Sequence, residues 1–528
     1  MLPDIQVTLE GAVVTLQTKS YELEAHAFID NPDQDDLRRM TGEMPNATST
    51  VFGNLDVLTR VDARSTASTY IVSDEPESFH GLQVMSRADY AAIARRQDAY
   101  VREREMIVID GDISNAPEVR TPARLIIERR NANVAGMQQY LYFEKAVAGE
   151  PAVTVIDTPN LTAPGYPNDR CITVDLDRGV TRVLNSDYFG ESKKGGLRMW
   201  NKIVYDRGGL AMHAGAKIVP TASGIKTIVI IGLSGTGKTT TTFQSAGGAK
   251  PVQDDFIAWM PDGRIHGSEN GCFAKTFALS VETEPEIFGA TISPRAYLEN
   301  VYRNDDGSLD FFNESFTQNG RAVFPLAALG RYEDARNIPP VSAIVILNRA
   351  RGVVPAIAKL TQRQAAAYFM LGETQGTSAG GKDEAGKALR VPGTNPFFPL
   401  PNALQGNRFL ELLRRHPVDV YLMNTGWIVD DTGPGSKKVK VAQSAACVGA
   451  IAEGGLDWIE DQDFAYQLAA HVPGIAADDE DLLHPRARFQ ALDRLPEYDA
   501  WVSKLNSERS AFLQQFPNLD PYITEGLR

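Results

Sequence analysis

The run Gly232-Leu-Ser-Gly-Thr-Gly-Lys238-Thr239, directly behind the apolar stretch 225–231, constrains this chain more than any other feature. It fits GxxxxGK[ST] with a strand in front, the arrangement in which a glycine-rich turn wraps a phosphate. Its glycines let successive N–H groups curl around an anion without Cβ collisions. Lys238 would neutralise the β and γ oxygens, and the Thr239 hydroxyl would ligate a divalent cation. A glycine-rich turn that matches by chance is the bland alternative, and the strand in front and the acids behind speak against it. Those acids are Asp254 and Asp255. Adjacent carboxylates at a strand end face different directions, because the side-chain period is two. One can touch a metal while the other holds a metal-bound water, and magnesium or manganese bridged to phosphate suits such oxygen ligands. A solvated pair in a turn is the alternative.

At 528 residues the chain exceeds what one core usually serves, so two or three units are expected. The first 150 residues read as short alternating segments of a mixed α/β unit. The stretch 125–143 has the pattern of a strand followed by a helix, and 171–184 that of a strand, a turn and a strand. From Ile203 onward the apolar runs are short and end in polar loops, which suits strands delivering side chains to one sheet edge. The runs 341–350 and 418–430 are two of these. An α/β fold follows, divided as an N-terminal substrate-side unit 1–205, a P-loop unit 206–454 and a helical segment 455–528 packed on it. The Gly-rich region 375–398 is the expected lid.

A formal charge of -14 disfavours a nucleic-acid partner. The lysine doublets 193–194 and 437–438 are the basic residues expected to gather in one cleft. Cys171, Cys272 and Cys447 are sparse and form no CxxC pair, which reads as reduced and cytoplasmic. The opening residues have no signal-peptide pattern, and no run approaches the about 20 apolar residues a bilayer span needs. His213, taken alone, reads as a core histidine; its place just before the P-loop strand makes it a candidate. Cys272 lacks a partner base and reads as structural, and Glu269 and Glu299 as loop-ordering acids.

Together with the P-loop, several motifs recur in one order. They are Tyr188 in YFGESKKG, His213 in MHAGA, DDFIAW at 254–259, Lys275 in GCFAKT, LENV at 298–301, Arg321 in NGRAVFP, and NTGW at 424–427. In this set the chain resembles the ATP-dependent phosphoenolpyruvate carboxykinases, well from Tyr188 to Ser444 and faintly before. The resemblance implies that family's bilobal fold, with an N-terminal α/β domain and a mixed-sheet P-loop domain. It implies ATP as nucleotide, Mn²⁺ held by Lys194, His213 and Asp255, and Mg²⁺ or Mn²⁺ with the nucleotide at Thr239. The nucleotide would lie on Gly232, Leu233, Ser234, Gly235, Thr236, Gly237, Lys238, Thr239 and Thr240. Lys438 and Ser444 would border it, and Lys275 and Arg321 would carry charge to the transferring phosphoryl. Arg64 would bind substrate, Tyr188 would lie at the carboxylate or CO₂ site, Lys193 would join the catalytic set, and Asp254 would order water. A metal-ligating lysine must be a neutral amine, so its pKa must be depressed.

The implied reaction decarboxylates oxaloacetate to an enolate, which takes the γ-phosphoryl of ATP to give phosphoenolpyruvate, CO₂ and ADP. The rim departs from the family pattern. GRSPKDKY is reduced to the segment Ala63–Tyr70 without its lysines, and the lid motif is replaced from Gly376 onward. The nucleotide-contacting arginine becomes Lys438, and the acid and histidine after the Asp pair are absent. A P-loop kinase of the same fold acting on another small-molecule or protein acceptor is the second reading, and a nucleotide-binding module without catalysis the third. No membrane partner is expected, and the oligomeric state is open.

Overall fold

A computed structural model describes residues 5–6, 13–233, 235–376, 387–430 and 433–527. Ser234 and positions 377–386 of the expected lid lie outside the described residues. Three sheets carry the molecule. The first has eight strands in the order Ala27–Asp30, Glu105–Ile113, Thr121–Glu128, Val153–Thr158, Val180–Leu184, Cys171–Asp175, Thr69–Val72 and Val84–Met85. The strand and helix expected at 125–143 are Thr121–Glu128 and Ala132–Leu141, and the expected strand pair at 171–184 is antiparallel.

Against this sheet packs the helix Phe189–Asp206, which carries Lys193 and Lys194. Gly195 makes the close approach possible, since a Cβ there would sit 3.1 Å from Thr181 and 3.2 Å from Val155. The Glu299 carboxylate accepts the Phe189 N–H at 2.9 Å and so satisfies a donor that the first helical turn leaves unpaired.

The second sheet runs in the order Ile265–Gly267, Phe256–Trp259, Leu210–Thr221, Gly224–Ile231, Val341–Asn348, Asp419–Asn424, Ile357–Leu360, Gln467–Ala469 and Trp458–Glu460, with Lys250–Gln253 also on Leu210–Thr221. Gly224–Ile231, Val341–Asn348 and Asp419–Asn424 are mutually parallel. Their apolar runs, such as Ile228 to Ile231, are buried on both faces, as parallel strands require. The segment from 455, expected as helical, opens with the hairpin Trp458–Glu460 and Gln467–Ala469 on the edge of this sheet. Its three-residue strands are too short for a period-two signal. Helices follow at Pro485–Ala491 and Leu495–Leu513.

The third sheet, Gly271–Lys275, Arg321–Pro325, Tyr297–Glu299, Leu55–Val57 and Ala47–Ser49, joins early and late chain segments. Among the described residues no helix is long and apolar enough to cross a membrane.

Candidate active site

The long strand Leu210–Thr221 organises the site. It pairs with the P-loop strand on one side, and with Lys250–Gln253 and Phe256–Trp259 in succession on the other. Asp254 and Asp255 fall in the break between these two short strands, so their side chains diverge. Asp255 turns toward His213 and the lysines of the Phe189–Asp206 helix. Asp254 turns toward the P-loop helix Lys238–Phe243, where it accepts from the Thr239 hydroxyl at 3.3 Å.

Around Asp255 the expected set converges. His213 Nε2 lies 3.0 Å from Oδ1, Lys193 Nζ 2.8 Å from Oδ2, and Lys194 donates to the same Oδ2. Lys238 Nζ stands 3.4 Å from Oδ1 and donates to the Asp254 carbonyl at 2.8 Å. Burial opposes ionisation of Asp255, but Lys193, Lys194 and Lys238 outweigh it and hold its pKa well below the usual carboxylate range. The two lysines then part ways. Lys193 is buried between Asp255 and Glu269, whose Oε2 is 2.6 Å away; burial works against its charge, yet the two carboxylates push its pKa up to about 12. Burial, aided by Lys193, pulls Lys194 down to about 7, against the attraction of Asp255. Burial and the nearby Lys238 likewise pull His213 down to about 3, which keeps the imidazole neutral.

Neutral imidazole, an amine near its neutral form and a carboxylate fit a divalent cation. Among the described residues no three His, Cys, Asp or Glu side chains gather to hold a metal, so an ion here would need the amine.

One cleft of about 900 Å³ is lined by Arg64, Tyr188, Lys194, His213, Leu233, Gly235, Gly237, Lys238, Thr239, Thr240, Asp254, Asp255, Lys275, Arg321, Lys438 and Ser444. Three expected residues stand behind it. Lys193 holds Asp255 and Glu269, Gly232 packs against Leu347, and the Thr236 hydroxyl bonds the Leu233 carbonyl. Gly235 and Gly237 have φ of +84° and +85°, which only glycine adopts readily. The doublet 437–438 divides. Lys437 pairs with Asp479 and Asp481 away from the cleft, while Lys438 stays in it, over the Trp427 ring. Cys272 is buried, and its thiol is raised well above the ordinary range by burial.

Lys275 and Arg321 are direct cross-strand partners in the third sheet, and Arg321 also faces Glu299. Like charges in opposed positions destabilise a sheet. Burial, then Arg321 and Arg349, bring the Lys275 amine down to about 8.

Sequence reasoning missed three side chains. Asn319 donates to the Tyr188 hydroxyl and to the Asp62 carbonyl, and accepts from Arg321, so it ties together the segments carrying Tyr188, Arg64 and Arg321. Glu284 lines the cleft and accepts from the Thr240 hydroxyl at 2.7 Å. Arg349 lines the cleft and donates to the Gly235 carbonyl at 2.8 Å. Asn319 lay inside the quoted NGR motif and Arg349 at the polar end of a recognised strand; Glu284 left no pattern.

A model of the phosphoenolpyruvate carboxykinase family matches residues 26–478. The chain belongs to that family. A phosphoenolpyruvate carboxykinase (ATP) of Mesorhizobium japonicum is 32% identical over 449 residues, which is 83% of this chain and 79% of the relative. One from Moorella thermoacetica is 31% identical over 484 residues, 86% and 88% of the two chains. One from Geobacillus thermodenitrificans is 32% identical over 440 residues, 81% and 80%. Against the carboxykinase pattern, DDFIAW places Phe256 beside the site. Its ring centroid lies 4.8 Å from Lys194 Nζ and 5.2 Å from that of His213, and Phe397 stands 4.6 Å from the same amine. Two aromatic faces thus wall the lysine, one from the residue after the Asp pair and one from Phe397.

Proposed function

We infer that this chain converts oxaloacetate and ATP to phosphoenolpyruvate, CO₂ and ADP. The observation that carries this reading is the convergence of Lys194, His213 and Asp255 at the foot of the P-loop, in one cleft with Arg64, Tyr188, Lys275 and Arg321. Lys194, His213 and Asp255 would hold Mn²⁺, and Thr239 would hold a divalent cation arriving with the nucleotide. A bound cation supplies Lewis-acid polarisation of the substrate oxygens.

The protein's own groups do the rest. Arg64 binds the acid substrate and, with its positive charge, favours the enolate left by loss of CO₂ beside Tyr188. The loop Gly232–Thr239 cradles the triphosphate, bordered by Lys438 and Ser444. Lys238, Lys275 and Arg321 neutralise the phosphoryl group during in-line transfer, and Asp254 orders water next to Thr239. Lys193 keeps Asp255 ionised and in place. The buried setting excludes bulk water that would protonate the enolate. The division into units 1–205, 206–454 and 455–528, closure of 375–398 over the cleft, and a cytoplasmic setting belong to the same reading.

The test is an assay of purified protein with Mn²⁺, ATP and oxaloacetate. Oxaloacetate-dependent phosphoenolpyruvate, formed in step with ADP and lost in Lys194→Ala and His213→Ala, is the expected result. ADP formation driven by a different acceptor, with no phosphoenolpyruvate, would contradict it.

A further inference from the structure

Arg349 is, with Lys440, a cation of the cleft lining that the reading above leaves unused. It follows the strand Val341–Asn348, which runs parallel to the P-loop strand Gly224–Ile231, so both strands end side by side at the phosphate loop. Its Nη1 donates to the Gly235 carbonyl at 2.8 Å. A guanidinium carries five N–H donors in a fixed fork, and this bond uses one of them. Among the described residues no carboxylate forms an ion pair with Arg349, although it is half-buried. A partly desolvated charge without a counter-charge is costly, which makes an anion the fitting partner. Its neighbours agree, because Lys275 and Arg321 bring two further positive charges to the same part of the cleft.

The far side of the loop supplies the second observation. Where the family pattern has a nucleotide-contacting arginine, this chain has Lys438, whose ammonium lies 5.8 Å from the centre of the Trp427 ring. A lysine is a point charge and cannot make a bidentate contact to phosphate. Residues 349–350 are the structural neighbours of this segment, since the Trp427 N–H donates to the Ala350 carbonyl at 2.9 Å. The geometry points to Arg349 as a nucleotide-binding residue that grips the terminal phosphate of ATP, making the forked contact that Lys438 cannot. This assignment rests on the P-loop reading of the cleft.

Calorimetric titration of the full chain with MgATP and with MgADP tests it, using wild type, Arg349→Gln and Arg349→Lys. A charged hydrogen-bonding group on one phosphate predicts an ATP affinity about tenfold or more weaker in Arg349→Gln, with ADP within about twofold of wild type. Arg349→Lys restores the charge but not the fork and falls between the two. Retained ADP binding shows that the variant is folded. Equal losses for ATP and ADP would mean that the arginine only props the loop through Gly235, and no loss would mean that it touches neither; both overturn the assignment. A wild-type chain that binds neither nucleotide overturns the P-loop reading itself, and the role of Arg349 with it.

Discussion

Asp255 carries one negative charge amid the amines of Lys193, Lys194 and Lys238 and the imidazole of His213, and burial with neighbouring charge shifts Lys193 up and Lys194 and His213 down. A buried ion pair is weak evidence for stability, and breaking one typically costs about 3–5 kcal/mol. The cluster is therefore better explained by chemistry than by folding. Glu299, further from the cleft, shows how the same burial acts on an acid that forms no ion pair among the described residues. One oxygen accepts the Phe189 N–H, and the other has no hydrogen-bond partner among the described residues. Burial pushes its pKa from 4.5 to about 8, with Asp187 adding to the shift and Arg321 opposing it. Between those values the native state keeps a proton that the unfolded chain has released. The contribution of Glu299 to stability is thus full below about pH 4.5 and is lost as pH rises to about 8. Denaturant midpoints of wild type should fall across that window relative to Glu299→Gln, which has no proton to lose. Parallel curves for the two proteins from pH 5 to 8 would show that Glu299 is ionised in the fold.

At the scale of elements, the strand Leu210–Thr221 and the helix Lys238–Phe243 form the joint on which the site turns. His213, Gly215 and Lys217 follow one another along one face of that strand, as the two-residue period dictates. His213 reaches Asp255, and Lys217 donates to the carbonyls of Thr241 at 2.8 Å and Gln244 at 2.7 Å. Gly215 lets the helix come close, since a Cβ there would sit 2.2 Å from the Thr242 hydroxyl. Gly215→Ala should therefore displace the helix that carries Lys238 and Thr239. Overpacking of this kind typically costs about 1–3 kcal/mol, and here it should also raise the KM for ATP. Thermal unfolding and nucleotide titration of the variant check both effects, and an unchanged KM would mean that the helix position is not set by this contact. The sequence reveals the P-loop strand because its apolar run, glycines and lysine are contiguous. It hides the joint, because the contacts of Lys217 with Thr241 and Gln244, and of Gly215 with Thr242, owe their existence to packing between segments that no local pattern links.

On the scale of the whole molecule, the site is assembled from all three sheets. The N-terminal sheet positions Lys193 and Lys194 through the helix packed on it. The P-loop sheet brings His213, Asp255 and Lys238, and the third sheet brings Lys275 and Arg321. That third sheet pairs Leu55–Val57 with Tyr297–Glu299, a contact across nearly half the chain that composition and periodicity do not announce. Residue types and motif order pointed to Lys194, His213 and Asp255, which lie together, but not to Asn319, Glu284 or Arg349. The strand order, the inward turn of Lys193 to Glu269, and the departure of Lys437 toward Asp479 and Asp481 depend on tertiary packing. The helix Leu495–Leu513 was legible from its spacing. The bond of its buried Arg509 to Glu373, at the base of the hairpin Glu373–Gln375 and Ala388–Arg390, was not.

The measurement that bears most directly on this account is anomalous diffraction at the manganese edge from crystals grown with Mn²⁺ and ATP. The account predicts a peak bounded by Lys194 Nζ, His213 Nε2 and the Asp255 carboxylate, each at coordination distance. A manganese ion held only at Asp254 and Thr239, with Lys194 and His213 turned from it, would contradict the claim that amine, imidazole and carboxylate serve a single cation.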